Sequence, residues 1–172
     1  MGAAKRRIHR SQCFTIFTGT GSVARMEQLR RSPVRSPCDA VLFRWQPGNS
    51  GGQKFWSWYG FESRVEWCAC FASWCAEQSG MVASGQVLKF SSCAVGASWF
   101  QGQGRWKGKG YTPSAGDFIF FDWNKDGQVD HVGIVVNVAN GRVNTIEGNT
   151  SNMVARRSYQ LGGIVIVGYG YI

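Results

Sequence analysis

The sequence predicts an α+β domain, with helices first and an antiparallel sheet after them. Three observations carry this. Residues 63–80 show helical spacing with their own start and stop, residues from 117 onward change to alternating or continuous apolar runs, and turn signals separate those runs at short intervals. Consecutive strands joined by tight turns pair antiparallel, which separates α+β from α/β.

In the helical stretch, Ser63 and Glu66 have the spacing of a capping box, and Gly80 supplies the stop. Trp67, Phe71, Trp74 and Gln78 share one face, with Cys68, Ala72 and Cys75 on an adjacent face of small residues. A second helix is expected over 92–101, before a glycine-rich basic loop at 102–110. Five strands follow at 117–123, 129–138, 143–147, 153–159 and 163–171. Their turns fall at Lys125-Asp126-Gly127, Asn140-Gly141, 148–152 and Gly162-Gly163. Upstream, Phe55-Trp56-Ser57-Trp58-Tyr59 is too aromatic to stand in water without a reason, and is read as core or groove wall.

A chain of 172 residues has room for one domain and an arm. Residues 1–40 lack sustained periodicity apart from a short helix signal at 23–31, and Pro33 and Pro37 make 30–37 an extended linker. The folded domain is therefore placed at 41–172. No run approaches the roughly 20 apolar residues of a membrane span. Lys5, Arg6 and Arg7 precede an apolar run that ends at Thr18 and Gly19, so no signal peptide is expected and export would use another route.

The net charge of +9 divides unevenly. Residues 1–44 carry nine Lys or Arg against two acids, and the remainder ten against eight, so residues 1–44 hold +7 and residues 45–172 hold +2. A domain with so little excess charge and no basic stripe is not expected to bind nucleic acid. The six cysteines do not form a metal pattern: Cys68 and Cys70 point about 200° apart on a helix, and there is no Cys-x-x-Cys. Cys75 with Cys93, or Cys13 with Cys38, could pair in an oxidising compartment; otherwise these four are buried small hydrophobes.

The chemistry lies in an order of residues. Cys68 falls near a helix start, where unpaired N–H groups and the dipole favour a thiolate. His131 is the only histidine beyond the arm and begins a strand. Its imidazole can exchange a proton with a thiol near neutrality. Glu147 ends the next strand and could hold the second ring nitrogen, and Asn149 lies on the same side if the strand continues. Trp56, Trp58, Trp67, Trp99 and Trp106 are candidates for a substrate groove, with two at most expected there.

Glu66-Trp67-Cys68-Ala69-x-Phe71-x-Ser73-Trp74, then Gly116-Asp117-Phe118-Ile119-Phe120-Phe121, Asp130-His131-Val132-Gly133-Ile134-Val135 and Glu147-Gly148-Asn149 resemble the CHAP domain, the cysteine, histidine-dependent amidohydrolase/peptidase. The resemblance runs from about residue 48 to the C-terminus. It implies a papain-like α+β fold with the cysteine helix packed on an antiparallel sheet of five to six strands. It also implies cleavage of an amide bond in bacterial peptidoglycan, as N-acetylmuramoyl-L-alanine amidase or endopeptidase, by a monomer acting at the cell wall without a cofactor. Cys68, His131, Glu147 and Asn149 take the family's four polar positions. Two departures stand out. Cys70 adds a second thiol, and Glu66 puts a carboxylate near Cys68 that would raise its pKa unless a partner holds it.

Asp122-x-Asn124-x-Asp126-Gly127-Gln128-x-Asp130 follows the first nine positions of a calcium loop, but Gly133 stands where a bidentate Glu belongs. Calcium at Asp122, Asn124, Asp126, Gln128 and Asp130 is one reading, and a turn capped by its own side chains is the other. Beside the hydrolase reading stand an inactive wall-binding module and an amidase for an amide outside the wall.

Overall fold

The computed structural model describes residues 51–172. The basic arm, its helix signal and linker, the boundary near residue 40 and the pair Cys13 and Cys38 lie outside the described residues. The chain runs α1 Gln53–Tyr59, α2 Cys68–Gln78, α3 Cys93–Gly102, β1 Trp106–Gly108, β2 Phe118–Phe121, β3 His131–Ala139, β4 Arg142–Thr150, β5 Met153–Gln160 and β6 Ile166–Gly170. The six strands form one sheet in the order β1-β6-β2-β3-β4-β5, with every neighbouring pair antiparallel. This is the α+β fold expected. Among the described residues no helix is long and apolar enough to cross a membrane.

Strand alternation gives the sheet two dry faces. Phe118, Phe120, Val132, Ile134 and Ile146 pack with Phe55, Trp67, Phe71 and Phe100 of the helical layer, while Ile119, Phe121, Val135, Val143, Ile166 and Tyr169 form a second cluster. Central β2 is buried at all four positions for this reason. Its unbroken apolar run, Phe-Ile-Phe-Phe, is what a strand covered on both sides requires.

Helix α2 starts later than its sequence suggests. Trp67 is the N-cap and no side chain caps the helix, so Ser63 and Glu66 do not form a capping box. The indole of Trp67 is wholly buried and stacked on Phe55 at 5.4 Å, so the first turn is held by core packing instead. The C-terminal stop is as expected: the N–H of Gly80, at φ 79°, reaches the Glu77 carbonyl and that of Met81 reaches Ala76, a Schellman motif. Helix α3 begins at its expected place, with the Ser92 hydroxyl accepting from the Val95 N–H.

Two other features differ from expectation. The basic loop at 102–110 contains β1, a three-residue edge strand paired with β6. So short a strand has no period of its own and exists through its partner. The second is a register shift in β4 between Glu147 and Thr150, where Asn149 takes φ 58°. Gly148 sits in this irregularity, hard against α2: a Cβ there would lie 2.4 Å from the Cβ of Phe71. Only glycine permits so close an approach of strand to helix.

Candidate active site

Cys68, His131 and Glu147 come together at the N-terminal end of α2. Cys68 is the first residue of that helix, His131 the first of β3, and Glu147 is on β4. All three are buried, but Cys68 and His131 line a cleft of about 330 Å³ that also has Glu66, Trp123, Asp130 and Asn149 in its wall.

The imidazole is oriented by a carboxylate. His131 Nε2 lies 2.9 Å from Glu147 Oε2, which leaves Nδ1 for Cys68. Glu147 is wholly buried, and a buried carboxylate must be well supplied with donors. Thr145 Oγ1 donates to it at 2.6 Å and the Tyr159 hydroxyl at 3.2 Å. Burial and the charge of Glu147 raise the Tyr159 pKa, so this hydroxyl keeps its proton. Gly133 explains how Glu147 reaches His131. Ile134 pairs with Ile146, so Gly133 lies opposite Glu147, and a Cβ at 133 would fall 2.7 Å from Glu147 Cγ. The carboxylate arm crosses the strand over the missing side chain.

Cys68 and His131 each favour the charged form of the other. The Cys93 hydrogen bond lowers the Cys68 pKa most; burial opposes this, and His131 and the Ala69 N–H add to the lowering, leaving it well below the ordinary thiol value. Burial pulls the His131 pKa down, but Cys68 and Glu147 outweigh it and raise it to about 9. Cys70 titrates in the opposite direction. It is wholly buried, and burial together with the charge on Cys68 pushes its pKa up to about 11.

The sequence-based site needs several corrections. Asn149 does not reach His131: the register shift and left-handed backbone turn it aside, and its amide donates instead to Glu66 Oε2. The same bond gives Glu66 its partner in place of the expected capping box, and the neighbouring Arg64 guanidinium goes to Asn152 Oδ1 at 3.0 Å. None of the proposed groove tryptophans lines the Cys68 cleft. Trp67 is wholly in the core. Trp56 is half-buried and donates to the Gly51 carbonyl at 2.9 Å. Trp58 lies under Lys89 Nζ at 4.5 Å, Trp99 under the Arg105 guanidinium at 4.9 Å, and Trp106 packs on Phe120 at 5.3 Å.

The aromatic that does line the cleft is Trp123, 42% exposed, stacked on Phe121 at 4.9 Å and 6.1 Å from the His131 ring. Its sequence signal was its place at the end of β2, in the turn leading to Asp130-His131. Cys93 was also missed as a site residue. Its sulfur lies 3.4 Å from that of Cys68, so it is placed against the proposed nucleophile, and it forms no disulfide with Cys75. All four cysteines among the described residues are thiols.

The Asp122–Asp130 segment closes on itself. Asp122 accepts from the N–H groups of Lys125 and Gly127 at 2.6 and 2.9 Å, and Asp126 accepts from that of Gln128 at 2.8 Å. Asn124 and Asp126 bond to each other, and Asp130 Oδ2 accepts from the Trp123 N–H at 3.0 Å. Among the described residues no three His, Cys, Asp or Glu side chains converge as a metal requires. As folded, these side chains cap their own turn.

Comparison with known proteins agrees with the order of these residues. No curated protein matches the chain. Solved structures do, among them the crystal structure of Ly7917 with the hydrolyzing product of MDP, at 21% identity, and the crystal structure of Ly7917, at 20%. Each has a TM-score of 0.41 and covers 59% of this chain. The matches cover 52% and 51% of those chains, so this protein spans about half their length. The model of the CHAP domain matches residues 58–149, more than half of the chain, and takes in Cys68, Trp123, His131 and Glu147 alike. A match of that extent, over the segments that build the cleft, makes this chain a member of the CHAP domain family.

Proposed function

We propose that this protein is a peptidoglycan hydrolase that cleaves an amide bond of the bacterial cell wall, as amidase or endopeptidase, by a thiol mechanism. One observation carries the reading: Cys68 and His131 line one cleft, and the buried carboxylate of Glu147 holds the imidazole from behind at 2.9 Å. Family membership supplies the substrate class.

Cys68 Sγ attacks the amide carbonyl carbon, a C–S bond forms, and the carbonyl electron pair moves onto oxygen. The first N–H groups of α2, which have no intrahelical acceptor, stabilise that oxyanion. His131 Nδ1–H protonates the amide nitrogen as the C–N bond breaks, which releases the amine and leaves a thioester. Neutral His131 then takes a proton from water, whose oxygen displaces Cys68 as thiolate and frees the acid. Glu147 holds the ring in place through both steps, and Trp123 offers a flat wall to a sugar or peptide face.

Digestion of purified peptidoglycan with mass spectrometry of the products tests this. Stem peptides cut cleanly from sugar identify an amidase, and shortened stem peptides an endopeptidase. Cys68→Ala is expected to lower activity about 10⁴-fold or more. Wild-type protein that clears no peptidoglycan, or a Cys68→Ala variant that clears it equally well, would sink the reading.

A further inference from the structure

Cys93 takes no part in the chemistry above, yet its Sγ stands 3.4 Å from Cys68 Sγ and both thiols are buried. A disulfide would bring the sulfurs to about 2 Å. At the observed distance they are two thiols in S–H···S contact. The two residues occupy the same place in different helices, Cys68 opening α2 and Cys93 opening α3. Each helix start favours a negative charge. Two thiolates so close in a dry setting repel, however, so the pair holds one charge and one proton between them. His131 sits beside Cys68 and draws the charge there.

We propose that Cys93 is a positioning residue for the nucleophile: it keeps its proton and donates it to the Cys68 thiolate, fixing where the anion stands. This rests on Cys68 being the nucleophile. The two donors differ in what they do with their protons. His131, on β3, gives its proton to the leaving amine, whereas Cys93, on α3, never releases its own. A standing donor acts most strongly when Cys68 departs from the thioester as an anion, the moment at which negative charge returns to sulfur. The titration directions agree with this division, since Cys93 is the largest influence lowering Cys68 and Cys68 is the largest raising Cys93.

Other groups also face the thiol. These are His131 with Glu147 behind it, and Glu66 and Asp130 in the cleft wall, while Cys70 on the same helix feels the charge of Cys68 from its far side. The test therefore changes Cys93 alone. Alkylation of Cys68 by iodoacetamide is followed across pH by peptide mass spectrometry. The wild-type midpoint is expected well below the free-thiol value of about 8.5. Cys93→Ala should raise it by about one to two pH units, and Cys93→Ser should recover part of the shift through its O–H. On peptidoglycan, kcat/KM of Cys93→Ala should fall more at acid than at alkaline pH. An Ala midpoint equal to wild type, or Ser and Ala midpoints equally raised, overturns the proposal. If Cys93→Ala does not fold, thiolate absorbance of the wild type decides: Cys68 and Cys93 ionising together would overturn it, and one early thiolate alone supports it. A wild type that clears no peptidoglycan would remove the hydrolase reading, while the alkylation result would still decide the role of Cys93.

Discussion

Two polar regions of this protein are held together in opposite ways. Around Cys68, the groups come from α2, α3, β3 and β4 and bond to one another across long stretches of chain. In the Asp122–Asp130 turn, neighbouring side chains bond back to their own backbone. The turn can form with few tertiary contacts, whereas the centre exists only when the sheet and helices are in register. Damage at the centre should therefore spread to activity, and damage in the turn should remain local.

The sharpest way to break the centre without touching a reacting group is Gly133→Ala. The new Cβ meets Glu147 Cγ, so the carboxylate must leave His131 or the strands must part. Activity on peptidoglycan is expected to fall about 100-fold or more, with a stability loss of about 1–3 kcal/mol in denaturant melts. Activity near wild type would mean that Glu147 is dispensable for orientation.

A milder probe is pH. At low pH Cys68 is protonated and cannot attack; as pH rises through its lowered pKa the ion pair forms; above about 9 His131 loses the proton it must give to the leaving amine. A bell-shaped kcat/KM profile with its alkaline limb near pH 9 is expected. An alkaline limb near the ordinary histidine value would show that Cys68 and Glu147 do not hold the imidazolium.

The smallest effect belongs to the turn. Asp126→Ala removes its bonds to Gln128 and Asn124, and activity should stay within about twofold of wild type. Chelation should also leave activity unchanged. Loss of activity on chelation, restored by calcium, would erase the contrast by making the turn part of the site.

The division between local and long-range structure also sets what the sequence disclosed. The helix stop at Gly80 and the start of α3 at Ser92 were readable because caps are local. The sites of Cys68, His131 and Glu147 were readable from the order of motifs. The partner of Asn149 was not, because the register shift that turns it to Glu66 has no sequence period. Trp67 shows the same limit from the other side. Helical spacing placed it on a face, but only packing decides whether that face meets a groove or the core. Strand β1 and the Cys68–Cys93 contact likewise depend on segments far apart in sequence.

Gly148 acts as a spacer by having nothing to insert. The clearance between the helix that carries the thiol and the strand that carries Glu147 is set by a missing methyl group, since any Cβ there would meet Phe71 and Trp67. Sensitivity to substitution at this position would therefore measure the separation of α2 and β4, making it a molecular feeler gauge for the alignment of the two halves of the site.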